Sequence, residues 1–378
     1  MKHICLQVTR KEDGDIILTK ATPYTLTKRR LKPAATRYTL FVVLILLTAC
    51  ASPRAFIDKS AMRQIIWPGY PEKPRIQYLW SINQISTTIE GRKRGLLDFI
   101  LGEVSEDVTD PRTSNVLMRP YGIFVDSKER LYVTDPGAYR VTVIDLNTAE
   151  VITIYGREKD EFLSPIGVVA DLRGRIYVSD SELRKVFVFD EKGGYLSQFE
   201  GEFKRPTCMA IDTKSSMIYL SDTLEHKVYI YSLEGKRLSS IGKPGSLPGE
   251  FNFPTHLFVD KDGLLYVTDA MNFRVQIFNP EGTFLGKVGI LSDTYTNLDM
   301  PKGVAVDTHG NIYVVDSIWD TIKIFDRDGS LLLFFGEKGH IYGNLYLPSG
   351  IFIDQKNIIY VADTYNMRVQ AFQFIGEK

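Results

Sequence analysis

The chain repeats itself six times, and no other feature narrows its fold as far. Beginning at Pro120 it reads PYGIFVD, RLYVTD and RVTVID; at Pro165, PIGVVAD, RIYVSD and KVFVFD; at Pro206, PTCMAID, MIYLSD and KVYIYS. The same three runs return from Pro254 as PTHLFVD, LLYVTD and RVQIFN, from Pro301 as PKGVAVD, NIYVVD and TIKIFD, and from Pro348 as PSGIFID, IIYVAD and RVQAF. Successive prolines stand 45, 41, 48, 47 and 47 residues apart. From each proline to the Asp ending the second run is 15 residues, except 16 in the third unit.

Short β-rich runs separated by turn residues predict strands. The first run is apolar at nearly every position, as a strand covered on both faces should be. It ends in an Asp and a turn such as Asp260-Lys-Asp-Gly263 or Asp307-Thr-His-Gly310. Asp and Gly supply the side-chain turn bond and the positive φ of a tight hairpin. A fourth run follows over residues 150–156, 195–200, 237–242, 284–289 and 331–336. Four strands every 41–48 residues predict propeller blades.

The units resemble NHL repeats, with Pro-x-Gly-hydrophobic-Ala-Val-Asp, a Tyr-Val-x-Asp strand end, and a base-Val-x-hydrophobic-Phe strand five residues on. The resemblance spans Pro120 to Phe374 and implies an all-β, six-bladed β-propeller of four-stranded blades. The sixth unit runs out after its third strand, while residues 75–82 (RIQYLWSI) form an orphan strand upstream. This segment is expected to become the outer strand of the last blade, which closes the ring and leaves only short edges.

The amino terminus reads as an address. Lys28, Arg29, Arg30, Lys32 and Arg37 precede a short apolar run that ends in Leu47-Thr48-Ala49-Cys50. A basic region, an apolar stretch too short to span a bilayer and small residues before the cut describe a secretory signal. The tetrapeptide resembles the bacterial lipoprotein signal, which implies lipidation of Cys50 and a mature chain anchored by acyl chains. Ala51-Ser52 has no Asp after the cysteine, which favours the outer membrane of a bacterial envelope. The expected organisation is residues 1–49 as extension and signal, 50–74 as a Pro-rich, extended tether, and 75–378 as the propeller. Residues 91–103 are expected to hold a short amphipathic helix. Upstream, residues 1–27 match nothing that normally precedes a signal.

Lys plus Arg equals Asp plus Glu at 46 each, but residues 1–49 hold nine bases and three acids, so the remainder carries a net −6. That body lacks the basic surplus that phosphate backbones require, which argues against nucleic acid as a partner. Cys5, Cys50 and Cys208 make neither a disulfide framework nor a CxxC knuckle.

The Asp closing each second strand recurs as Asp135, Asp180, Asp222, Asp269, Asp316 and Asp363, followed five residues on by Arg140, Lys185, Lys227, Arg274, Thr321 and Arg368. A carboxylate facing a base in five of six units is expected to be a structural tie, since chemistry seldom needs six identical sites. Function is expected where the units differ. The loops between the second and third strands hold Tyr139, Arg184, His226, Phe273, Trp319 and Tyr365, residue types suited to protein, peptide or glycan contact. Two places after the proline stands glycine in four units, but Cys208 and His256 in the third and fourth. With His226, these could converge on the channel mouth as a zinc or copper site, or as nucleophile and base. His309 and His340 lie elsewhere.

Enzymes share this propeller. In peptidyl-hydroxyglycine lyase one zinc histidine stands in an Asp-x-x-x-His-x-Val setting, which His226 matches; His256 is displaced by one place from the family's pattern, and a third counterpart is missing. Calcium-dependent lactonases need a buried Glu/Asn/Asp set that cannot be assigned here. No cofactor is assigned with certainty; zinc and calcium are the candidates, with copper as a second metal for the Cys–His set. Two functions follow: a membrane-anchored extracytoplasmic module that binds an envelope protein, peptide or glycan, or a metal-dependent lyase or hydrolase at the channel mouth.

Overall fold

The computed structural model describes residues 6–10, 16–20, 53–69, 71–86, 111–157, 159–289 and 297–376. Residues 1–51 form one unit, in which Leu6–Arg10 pairs antiparallel with Ile16–Lys20. Ser52–Lys378 form the other. The signal residues with Cys50, and the helix expected over 91–103, lie outside the described residues. No described helix is long and apolar enough to cross a membrane.

The second unit is a ring of six antiparallel blades. In blade two, for example, Pro165–Ala170, Ile176–Asp180, Lys185–Phe189 and Tyr195–Gln198 pair in order from the axis outward. Inner strands are buried on both faces because apolar side chains alternate between the two neighbouring blades. Val168 and Ala170 pack towards blade one, and Val169 towards blade three.

A repeated bond set holds the hairpin between the first and second strands. The Asp ending the first strand accepts the amides two and four residues on, as Asp171 does from Arg173 and Arg175 at 2.9 Å each. Its second oxygen accepts a tyrosine hydroxyl six residues on, in Asp126–Tyr132, Asp171–Tyr177, Asp260–Tyr266, Asp307–Tyr313 and Asp354–Tyr360. A second set joins blade to blade. The hydroxyls of Thr134, Ser179, Ser221 and Thr268 each donate to the carbonyl after the next blade's proline. At this level the inner strands nearly touch: a Cβ on Gly122 would stand 2.2 Å from the Ile166 carbonyl oxygen. Only glycine fits such a backbone approach.

Closure follows the expected route and goes further. Ile76–Ser86 pairs with Arg368–Phe374, placing Ile82 opposite Val369 and Trp80 opposite Ala371. The part expected as a tether is instead packed where it is described. Arg54–Asp58 adds a strand outside Ile76–Ser86, and Ile66–Trp67 pairs with it as well. Trp67 sits 5.7 Å from both Phe335 and Phe372, so its burial outweighs the extended freedom its prolines suggest. The same segment reaches blade one, where the Ala55 amide donates to the Ala149 carbonyl and the Val151 amide to Pro53. It therefore latches the last blade to the first.

Candidate functional site

Towards the hairpins between first and second strands the channel holds a cavity of about 560 Å³, walled by Gly122, Gly167, Cys208, His256 and Gly350 at its deep end. There the rings of Tyr121, from blade one, and His256, from blade four across the axis, stack with centroids 5.6 Å apart and planes at 24°. Beyond them a second cavity, about 370 Å³, opens on the opposite face among Tyr121, Ile166, Arg205, Thr255, His256 and Met271.

His256 is 5% exposed, and neither ring nitrogen has a hydrogen-bond partner. Burial, reinforced by the Lys302 charge, lowers its pKa to about 3, so the imidazole is neutral. Burial raises Tyr121 to about 12; the Cys208 thiol adds to this, against the pull of Arg205 and Arg119. Lys302, beside its blade's proline, is lowered first by burial and then by the Arg119 charge. The Arg119 guanidinium lies 6.0 Å from the Tyr365 ring centroid. Among the described residues no carboxylate lies within ion-pair distance of Arg119, Arg205 or Lys302. Three cations thus gather at one mouth, from the entrances to blades one, three and five.

The expected trio does not assemble. Cys208 and His256 share the axial cavity, but His226 walls neither cavity. Its Nδ1 lies 3.3 Å from both the Phe253 amide and the Phe251 carbonyl, and its ring meets Phe253 edge-on at 4.7 Å. Among the described residues no group of three His, Cys, Asp or Glu side chains could hold a metal ion. Cys208 is half-buried, with Sγ 3.5 Å from the Met209 carbonyl oxygen. Burial pushes its pKa up to about 11, which keeps the thiol protonated at neutral pH and a poor nucleophile.

The variable loop residues divide into two groups. Tyr139, Arg184, His226 and Phe273 hold one shared left-handed position, with φ of 52, 55, 54 and 53°. Asp320 and Met367 hold it in blades five and six. Trp319 and Tyr365 lie just before it and stand 46% and 52% exposed. With Leu224, Met271, Ile318 and Met367, also exposed, they give this face an apolar rim around the cationic mouth.

The six Asp residues closing the second strands are fully buried, yet their bonds differ from the expected ion pairs. Each accepts backbone amides from the loop entering its own blade, as Asp135 does from Met118 and Arg119 at 2.9 and 2.8 Å. The base five residues on completes a pair with Arg274 at 2.8 Å, Arg368 at 2.7 Å and, more loosely, Arg140 at 3.7 Å. Lys185 turns to Asp160 instead, and Lys227 has no ion pair to Asp222 among the described residues. Opposite Thr321, Lys323 reaches Asp316 at 2.7 Å from two residues further along.

Tyr121, Lys302, Arg119 and Arg205 are not among the residues expected from the sequence. A usable signal was present, because the residues flanking the unit's proline differ in every copy: Arg/Tyr, Ser/Ile, Arg/Thr, Phe/Thr, Met/Lys and Leu/Ser.

A family model described as a 6-bladed beta-propeller matches residues 126–234 and 203–304, and an NHL-repeat model matches residues 345–372. No curated protein sequence matches the chain. Among solved structures, an auxiliary nutrient binding protein from Bacteroides thetaiotaomicron is similar at 10% identity and a TM-score of 0.56, over 70% of this chain and 71% of its own. Hydrazine synthase of Kuenenia stuttgartiensis is similar at 12% identity and a TM-score of 0.52, over 73% and 100%. A catalytically inactive virginiamycin B lyase from Staphylococcus aureus with quinupristin reaches 14% and 0.51, over 68% and 95%. At these identities the likeness is one of fold. The chain is a six-bladed β-propeller whose last blade matches the NHL repeat.

Proposed function

We propose that this chain is a lipid-anchored extracytoplasmic binding module, held at the bacterial outer membrane through Cys50 and presenting one face of its ring to an envelope protein, peptide or glycan. The asymmetry between the two faces carries this reading. One face repeats the same Asp-held turn with little change. The other carries Arg205, with Arg119 and Lys302 near enough to act on Tyr121 and His256, none of them ion-paired among the described residues, inside a rim of exposed aromatic, thioether and aliphatic side chains. Apolar and cationic groups left together on a loop-built surface favour recognition over catalysis, since in the channel the Cys208 thiol stays protonated and the His256 imidazole neutral. The lipid anchor rests on Leu47-Thr48-Ala49-Cys50 at the end of a basic and then apolar leader.

Photo-cross-linking in living cells tests the reading. A cross-linking amino acid at Trp319 or Tyr365 should trap a discrete partner, whereas one at Leu172, exposed in a turn of the opposite face, should not. Equal or absent adducts at all three would refute it. Separately, Cys50→Ala should move the protein from the detergent phase to the aqueous phase; unchanged partitioning would remove the anchor.

A further inference from the structure

Three observations at the channel mouth point to the chemistry of what this face receives. The first is His256. A buried imidazole normally spends its N–H and its lone pair on hydrogen bonds, and each one left unmade costs about 1–3 kcal/mol. Here both nitrogens are unmade at 5% exposure, and the ring walls both cavities. The second is charge. The chain after residue 49 carries more acids than bases, yet Arg205 lines this mouth, Arg119 and Lys302 stand near enough to act on the Tyr121 and His256 rings that wall it, and none of the three has a carboxylate in ion-pair distance among the described residues. Nearby Asp135, Asp222 and Asp316 are fully buried and already accept loop amides. The cations enter from alternate blades and so surround the axis; no carboxylate among the described residues relieves their mutual repulsion. The third is shape. The mouth cavity of about 370 Å³ has Ile166, Phe253 and Met271 among its walls, so a charged end would sit beside apolar surface.

We propose that Lys302, Arg119 and Arg205, with the buried, unpartnered imidazole of His256 as a hydrogen-bond donor, form a receptor site for the oxyanion end of a ligand, a carboxylate or phosphate carried on an apolar body. An oxyanion there accepts from His256, relieves the cation repulsion and leaves its apolar portion against Met271 and the rim. The proposal rests on the binding-module reading and specifies the group that enters the ring. Lys302 also explains itself: an ammonium partly withdrawn from water without a counter-ion is retained against its desolvation penalty when a ligand supplies the charge.

The test is titration calorimetry on the full chain carrying Cys50→Ala, with inorganic phosphate, hexanoate, hexanol and hexylamine as probes. The imidazole ¹⁵N signals of His256 are followed in parallel. The expected result is saturable binding of phosphate or hexanoate with a shift of the His256 signals, and none for hexanol or hexylamine. A preference for hexanoate assigns the carboxylate with its apolar body; a preference for phosphate assigns the phosphate. Lys302→Met should weaken binding by about tenfold or more, the loss of a charge-assisted bond. Arg205→Gln, at an exposed position where folding is not at risk, should weaken it by a smaller, salt-dependent factor. No anion-selective binding, or equal binding by wild type and both variants, overturns the site. If anions fail to bind while Trp319 and Tyr365 still cross-link a partner, only the oxyanion site falls; if both fail, the binding-module reading falls with it.

Discussion

The Tyr121 ring of blade one lies over the His256 imidazole of blade four, with ring centroids 5.6 Å apart across the axis of the propeller. The stack divides the axis into a deep cavity on one side and a shallow mouth on the other, with His256 on both. It also keeps the imidazole dry, which sets its protonation.

That protonation predicts a stability slope. His256 titrates near pH 3 when folded and near 6.5 in an unfolded chain. Between those values the unfolded chain takes up a proton that the folded one refuses, so stability falls as pH drops through the window. At pH 4.5 the effect amounts to about 2–3 kcal/mol relative to pH 7. Urea denaturation of wild type and His256→Gln at both pH values isolates it, because the carboxylates titrate alike in the two proteins. The variant should lose less stability on acidification; parallel losses would show that His256 is not buried as a neutral ring.

The recurrent Asp–base pattern should split by blade. Arg368 donates to Asp363 and to the carbonyls of His340, Ile341 and Asn344. Arg368→Ala strands a buried carboxylate and should cost about 3–5 kcal/mol. Lys227 has no such role, and Lys227→Ala should stay within about 0.5 kcal/mol of wild type. Chemical denaturation of the two variants gives the comparison, and similar losses would contradict the geometry.

Ring closure is the third test. Without Ile76–Ser86 the outer edge of Arg368–Phe374 is bare, and the latch to blade one is gone. A chain starting at residue 87 should elute as aggregates and unfold without a cooperative transition. Adding a peptide of residues 53–86 should restore a monomer with a sharp transition. A cooperative monomer without the peptide would mean that the ring closes by other contacts.

The ring was legible because its evidence came six times over. Proline, Asp, Tyr-Val-x-Asp and the third strand recur at nearly fixed distances, so chance matches cancel and the missing fourth strand of unit six points to an orphan upstream. The mouth was not legible in the same way. Cys208, His226 and His256 stood out by side-chain chemistry, but the left-handed backbone at His226 turns its ring to Phe253, and no residue type announces that. Arg119, Arg205 and Lys302 look like three of 46 bases until ring closure sets blades one, three and five around one axis. The packed segment around Trp67 was hidden for a related reason: three prolines suggest a spacer, and only the partner rings Phe335 and Phe372 reveal a side chain packed against the core.

One irregularity in the repeat yields the sharpest prediction. In five blades a tyrosine six residues after the turn Asp donates its hydroxyl to that Asp, as Tyr266 does to Asp260 at 3.0 Å. Blade three carries one extra residue, so Tyr219 stands seven from Asp212, which takes the Ser215 hydroxyl at 2.6 Å instead. The Tyr219 hydroxyl is left buried without a partner. The same substitution should therefore act with opposite sign in two blades. Tyr266→Phe removes a hydrogen bond to a carboxylate and should cost about 1.5–3 kcal/mol, whereas Tyr219→Phe removes only an unsatisfied polar atom and should be neutral or stabilising by about 1 kcal/mol. Urea midpoints of the two variants decide it, and a loss at Tyr219 as large as that at Tyr266 would mean that blade three keeps the bond its register forbids.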